Sequence, residues 1–410
     1  MELLYVLLVL LVVARLFAEV AQRLGQAPLV GELLAGVTLG VLVHRFSGEF
    51  PVLADLADDE VFGAITDLGI FFLMLLAGME LRPAEMARAS ARALWIAIAG
   101  MILPLVVGFG LGWIYLPDSP YRIAQCLFLA VSLAVTAVPV AVRVLRDLGH
   151  LDSELGRTVV SAAVVDDVFS LVLLAVLTAV IESGTFPDAA GIALLLGKVG
   201  LFFVVAVAVG VFVFPRVAAM LRRAKVEEFE FTMLLVVALG YAVLAEALDL
   251  HFILGAFLAG LFFGRRTVLE DVYEDVRKQL NGVTTGFLAP VFFTSIGLHL
   301  TGAALFETPV FVIVLILAAV LSKLLGGGLA ARMTGMAPRD AAGVGFAMSA
   351  RGAVELIIAD IALRAGLFQH PDPVPAIVAN LFSAVVIMAI TTTILAPLAL
   401  RAILPAGQRS

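Results

Sequence analysis

Asp166 and Asp167 stand side by side in TVVSAAVVDDVFSLVLLAVLTAVI, residues 158–181, and are the only charged side chains in that run. Adjacent carboxylates in an otherwise apolar segment can bind a cation, take up protons, or do both in turn. Consecutive helix residues lie about 100° apart around the axis, so one aspartate can pair with a neighbouring helix while the other faces water. The counter-ion on offer is Lys323, in VLILAAVLSKLLGGGLAAR, where Gly326, Gly327 and Gly328 permit close helix approach. One aspartate with one lysine is neutral; two leave a surplus negative charge, which is a cation site. Burial and pairing pull the protonation equilibria in opposite directions, so protons and a metal cation compete for the same carboxylates, and the titration belongs to the cluster. If the empty, ionised cluster is barred from crossing while protonated and cation-loaded forms cross, exchange follows. Intramembrane proteolysis by an aspartate pair is excluded, because those two carboxylates must meet from different helices.

Such groups need helices that open around them, and two segments carry the signals. In CLFLAVSLAVTAVPVAVRVLRDLG, Pro139 lacks a backbone donor and biases Val138 away from helical geometry, which predicts a break near Thr136, Ala137, Val138 and Pro139. In AAGVGFAMSARGAVELIIADIAL, Gly343, Gly345 and Gly352 surround Ser349, Arg351 and Glu355, the last two spaced to share one helical face. Broken backbone is tolerated in a membrane where it lines a cavity, and in transporters its carbonyls and half-helix ends become ion ligands.

The rest of the chain agrees with a membrane setting: of its 410 residues, 62% are apolar and 14% charged, and the mean hydropathy is +1.11. A soluble domain is about a quarter charged. Thirteen apolar segments are read, at about 2–22, 27–44, 61–80, 93–115, 120–145, 157–182, 189–221, 229–247, 251–264, 282–300, 308–331, 340–366 and 374–403. Nineteen basic residues then fall in one set of loops and three, Arg45, Arg122 and Arg364, in the other, which predicts the N-terminus outside and the C-terminus inside. The two interrupted segments, fifth and twelfth, are seven apart. That offset predicts two inverted six-helix repeats, about 1–182 and 229–404, joined by a helix at about 189–221. The expected fold is therefore an all-α polytopic transporter domain over 1–404 with two broken crossing helices and a short cytoplasmic tail, 405–410. MELLYVLLVLLVVARLF reads as a retained first span.

Four basic residues lie within spans: Arg15, Lys198, Lys323 and Arg351. Arg15 has Glu19 at helical spacing, and Glu32, Asp67, Glu80 and Glu246 lie nearer span ends, so all are read as pairing or snorkelling groups. Asp360 is read as structural. The single cysteine, Cys126, excludes an intrachain disulfide and a cysteine metal site, and none of the five histidines stands near another. The stretch RRTVLEDVYEDVRKQL has Val268, Val272, Val276 and Leu280 at four-residue spacing and is read as an amphipathic helix linking spans on the cytoplasmic surface.

With LVGELLAGVTLG, DLGIFFLMLLAGMEL, SLAVTAVPVAVRVLRDLG, SAAVVDDVFSLVLLAV, ILGAFLAGLFFG, APVFFTSIGL, SKLLGGGLAAR and SARGAVELIIA in this order, the chain resembles the monovalent cation:proton antiporter-2 family over nearly its whole length. The resemblance implies a homodimer in which a six-helix core moves against a panel of dimerising helices like an elevator. It implies that Asp166 and Asp167 bind cation and protons, that Lys323 pairs with the first, and that Thr136 to Pro139 and Ser349 to Glu355 line the site. Asp166, Asp167 and Thr136 would hold the transported monovalent cation, with Arg351 and Glu355 as supporting charges. The adjacent aspartates resemble the electrogenic, sodium-handling branch, which exchanges two protons for one cation. The departure is Ala353 after Arg351–Gly352, where many relatives have an acid; the spacing to Glu355 is closer to plant-type potassium and cation exchangers. A potassium/proton antiporter or potassium efflux channel of the same family is therefore the alternative. No enzyme activity, cofactor, nucleic-acid partner or nucleotide-binding domain is expected; the expected partners are Na⁺ or K⁺, protons and lipid, in a bacterial inner membrane.

Overall fold

A computed structural model of the chain describes residues 2–45, 59–81, 91–183, 189–213, 229–263 and 270–404. The expected tail and several loop arginines, among them Arg82 and Arg266, lie outside the described residues, as do the side chains of Val138 and Pro139. Among the described residues the chain is helical throughout: α1 (Glu2–Arg23), α2 (Pro28–Arg45), α3 (Glu60–Glu80), α4 (Ala91–Tyr115), α5 (Arg122–Ala134), α6 (Val138–Asp147), α7 (Glu154–Ser183), α8 (Ala189–Ala208), α9 (Phe229–Glu246) and α10 (Phe252–Phe262). There follow α11 (Glu270–Val283), α12 (Ala289–His299), α13 (Ala303–Glu307), α14 (Pro309–Lys323), α15 (Leu329–Met333), α16 (Pro338–Ala347), α17 (Ala353–Arg364), α18 (Ala376–Ala379) and α19 (Leu381–Ile403). Long apolar segments must satisfy every backbone group internally, which helices do. Nine described helical stretches are long and apolar enough to cross a membrane, and three shorter ones are apolar. Side chains such as Leu8, 61% exposed, and Val204, 67% exposed, fit a lipid surround and not water.

The chain divides into two compact units. The first is drawn from Met1–Leu16, Glu32–Ala84 and Pro187–Leu298. Its helices approach through glycines. A Cβ at Gly78 of α3 would stand 2.0 Å from the Phe257 carbonyl of α10, and one at Gly36 of α2 would stand 2.1 Å from the Thr294 carbonyl of α12. Gly78→Ala therefore forces α3 and α10 apart. Its expected effect is a loss of about 1–3 kcal/mol, read as a lower thermal midpoint of the purified protein in detergent; an unchanged midpoint would show that the contact is slack.

Of the segment RRTVLEDVYEDVRKQL, residues 265–269, Val268 among them, lie outside the described residues; from Glu270 on it is an amphipathic helix as expected, but it does not stand apart from the helix that follows. Glu270–His299 is one continuous helical stretch, α11 passing through a π-helical turn, Thr284–Leu288, into α12. Its buried face is Tyr273, Val276 and Leu280, and the Tyr273 hydroxyl donates to the Met79 carbonyl at 2.9 Å. The apolar face follows the mixed three- and four-residue steps of a packed helix, and the segment extends the tenth span. Arg15 likewise reaches Glu32 at 3.6 Å and the Thr285 carbonyl, while Glu19 takes Arg23 at 2.8 Å. Helical spacing permits the Arg15–Glu19 pair, but the buried Glu32 has more need of a cation than the exposed Glu19.

The second unit comprises Phe17–Gly31, Glu85–Phe186 and His299–Ser410. Its core joins Ala93, Ile96, Val144, Val159, Ala331, Val344 and Leu400 from six helices. After Lys323 the chain enters a π-helical turn, Leu324–Gly328. There a Cβ on Gly326 would stand 2.5 Å from the Ala99 carbonyl of α4, so the glycine run brings Lys323 close to its neighbours.

Candidate functional site

Two helices of the second unit are interrupted. α5 stops at Ala134 and α6 starts at Val138, so the unwound residues are Val135 to Ala137. Pro139 falls in the first turn of α6, where its missing N–H would have no intrahelical partner in any case. The break thus lies slightly ahead of the proline. α16 ends at Ala347 and α17 begins at Ala353. The extended pieces are joined by a hydrogen bond from the Ala137 N–H to the Ala350 carbonyl, 2.8 Å. Gly352 is required at this junction, since a Cβ there would lie 2.6 Å from the Ala137 Cβ.

Asp166 and Asp167 sit on α7. Asp166 is fully buried, while Asp167 is half-buried. The Asp166 carboxylate is 3.7 Å from Lys323 Nζ, and neither of its oxygens accepts a hydrogen bond. Lys323, also fully buried, donates instead to the Ala134 carbonyl and to Thr136 Oγ1 at 2.7 Å. The Thr136 hydroxyl in turn donates to the Met348 carbonyl at 3.2 Å. The amine therefore belongs to the broken end of α5 first and to Asp166 second.

Arg351 was expected to pair along its own helix, and the Glu355 carboxylate does lie 3.8 Å from Arg351 Nε. Its hydrogen bonds, however, go to the end of α5. Nη1 donates to the Ser132 carbonyl at 2.8 Å and to that of Val135, and Nη2 donates to Leu133 at 2.7 Å. Arg351 and Lys323 together satisfy the last carbonyls of α5, which would otherwise be orphaned at the negative end of the helix dipole. Glu355 is fully buried and its oxygens accept no hydrogen bond. The Ser349 hydroxyl is directed back to the Gly345 carbonyl, 2.8 Å.

Of the residues singled out in the sequence, Thr136, Ala137, Asp166, Lys323, Arg351 and Glu355 are thus tied together by contacts or through one backbone turn. Thr393 of α19 was not foreseen: its hydroxyl donates to the Arg351 carbonyl at 3.0 Å. The visible signal was the triple threonine at 391–393 in an otherwise apolar helix. Two further charges within spans have partners away from this cluster, Lys198 with Asp249 at 2.5 Å and Asp360 with Arg364 at 2.8 Å.

Three carboxylates, of Asp166, Asp167 and Glu355, thus stand against two cations. The Asp166 and Glu355 oxygens accept no hydrogen bond from the protein in this buried interior, where an unmet carboxylate is costly.

The chain is 29% identical over 396 residues to the Na⁺/H⁺-K⁺ antiporter GerN of Bacillus cereus, covering 97% of this chain and 95% of that one. It is 30% identical over 367 residues to the probable Na⁺/H⁺ antiporter GerT of the same organism, covering 89% and 92%, and 26% identical to an Na⁺/H⁺ antiporter of Enterococcus hirae, covering 98% of each. The solved structure of the sodium proton antiporter MjNhaP1 from Methanocaldococcus jannaschii superposes with a TM-score of 0.72 at 19% identity, over 98% of this chain and 97% of that one, and so shares the fold. Residues 7–406 match the family described as sodium/hydrogen exchanger, transmembrane, and the chain, a multi-pass integral membrane protein, belongs to that family.

Proposed function

We propose that the protein is a secondary active transporter that exchanges a monovalent cation, Na⁺ in the first place, for protons, with Asp166 and Asp167 as the shared site. The observation that carries this reading is the buried Asp166 carboxylate, 3.7 Å from Lys323 and without a hydrogen bond, beside the half-buried Asp167. A cation entering between the carboxylates displaces the proton on Asp167 and breaks the Asp166–Lys323 pair, which gives up a second proton. Two protons then move against one cation, and the cycle is electrogenic. Thr136 contributes a hydroxyl oxygen beside the aspartates.

All these residues belong to the second compact unit, which supports an elevator-like cycle in which that unit carries the site. The working form is a homodimer in the cell membrane of a bacterium. Potassium/proton exchange is the second reading, favoured by the likeness to GerN, a Na⁺/H⁺-K⁺ antiporter, and by the Arg351 to Glu355 spacing. The test is proton movement in voltage-clamped proteoliposomes with a pH-sensitive dye, adding Na⁺, K⁺ or Li⁺ in turn. Cation-driven proton flux that responds to voltage is the expected result; cation passage without proton movement would assign a channel.

A further inference from the structure

Four consecutive carbonyls, from Ser132 to Val135, converge on two fully buried cationic side chains. Converging carbonyls in a dry interior are the ligand set from which potassium filters and the ion sites of broken helices are built. Here that set is already filled. Arg351 takes three of the four carbonyls with its two terminal nitrogens, and Lys323 takes the Ala134 carbonyl. The guanidinium is permanently charged, planar and rich in donors, so it satisfies several carbonyls at once as no lysine could. Its link to Glu355 is the weaker one, since Nε makes no hydrogen bond and stands 3.8 Å away. The backbone of Arg351 is held as well, by Thr393 and by the close contact of Gly352 with Ala137.

We infer that Arg351 is a resident cation occupying the carbonyl set that a second monovalent cation would otherwise take, and that it is thereby a specificity-determining residue. It confines the transported ion to the oxygens of Asp166, Asp167 and Thr136. Charged carboxylates favour the smaller Na⁺ and Li⁺, whereas neutral carbonyls compensate the desolvation of K⁺ more fully. The inference rests on the exchange function proposed above and adds the element that sets which cation is preferred.

The test compares Arg351→Met/Glu355→Gln, which removes the guanidinium without leaving a lone buried carboxylate, with Arg351→Gln and Arg351→Lys. Size-exclusion profile and thermal midpoint report folding. In proteoliposomes, the ratio of apparent KM for Na⁺ to that for K⁺ is expected to shift toward K⁺ by about tenfold in the double variant, less in Arg351→Gln, and least in Arg351→Lys, whose ammonium keeps the charge but leaves some of the carbonyls open. A second measurement needs no turnover: in an Asp167→Asn background, K⁺ should raise the thermal midpoint of detergent-purified protein only when Arg351→Met/Glu355→Gln is also present. A wild-type ion ranking in the folded Arg351→Gln or double variant, with no K⁺ stabilisation, would make Arg351 a strut and overturn the inference. That outcome is distinguishable from failure of the exchange reading, which shows as cation passage without proton movement in the unsubstituted protein.

Discussion

Replacing Asp167 by Asn is expected to reduce cation-driven proton flux by about a hundredfold or more, equivalent to about 2.7 kcal/mol of lost cation binding, with the fold intact. The reason is the contrast between the two aspartates. Asp166 is fully buried against Lys323, so its variants mix a binding defect with a packing defect. Asp167 is half-buried, so an isosteric amide removes charge and proton-carrying capacity with little loss of packing. A stability change within about 0.5 kcal/mol fits such a position. The check is flux in proteoliposomes beside a thermal midpoint on the same preparation. Retained coupled flux would move the essential carboxylate elsewhere; a collapsed midpoint would make the loss of flux uninformative and transfer the test to Asp167→Glu.

Lys323→Ala is expected to produce the largest loss of stability, about 3–5 kcal/mol, because removing one member of a buried pair leaves its partner uncompensated. The loss has three local parts. Asp166 loses its counter-ion, the Ala134 carbonyl loses its donor, and Thr136 loses a hydrogen bond of 2.7 Å. Asp166→Asn combined with Lys323→Ala should recover part of the stability, since the buried charge is then absent. If exchange survives in that pair, the net charge moved per cycle should fall, because one proton-carrying group is gone. The measurement is a thermal melt of all three variants with the voltage dependence of residual flux. Additive losses in the double variant and an unchanged voltage response would together sink the Asp166–Lys323 assignment.

The parts of the site legible in the sequence are those whose residue types are rare in lipid. Two adjacent aspartates, a mid-span lysine, and a proline or glycine at matched places in two segments are conspicuous because an apolar span tolerates each only for a reason. Hydrogen bonds to backbone were not legible. Every residue carries a carbonyl, so the sequence gives no sign that Arg351 serves Ser132, Leu133 and Val135, and the visible partner was Glu355 at helical spacing. The same blindness explains Arg15, whose spacing to Glu19 was visible while its approach to Glu32 depends on how α1 and α2 lie. For α11 the four-residue valine spacing suggested a separate surface helix. What it could not reveal is continuity through the π-helical turn into α12, which fixes the buried face at Tyr273, Val276 and Leu280.

The carbonyl clamp on α5 also bears on biogenesis. Ser132 and Arg351 are separated by 219 positions, Thr136 and Lys323 by 187, and Arg351 is fastened by a residue a further 42 positions on. During synthesis the aspartates of α7 and the unwound end of α5 enter the membrane long before either basic side chain exists. Contacts of such long range close late. The nascent first half must therefore hold open carboxylates and bare carbonyls against water or the insertion machinery until α14 and then α16, α17 and α19 arrive. A chain truncated before Lys323 would carry Asp166 without the lysine that it faces in the full chain, a buried charge left uncompensated until synthesis passes that point.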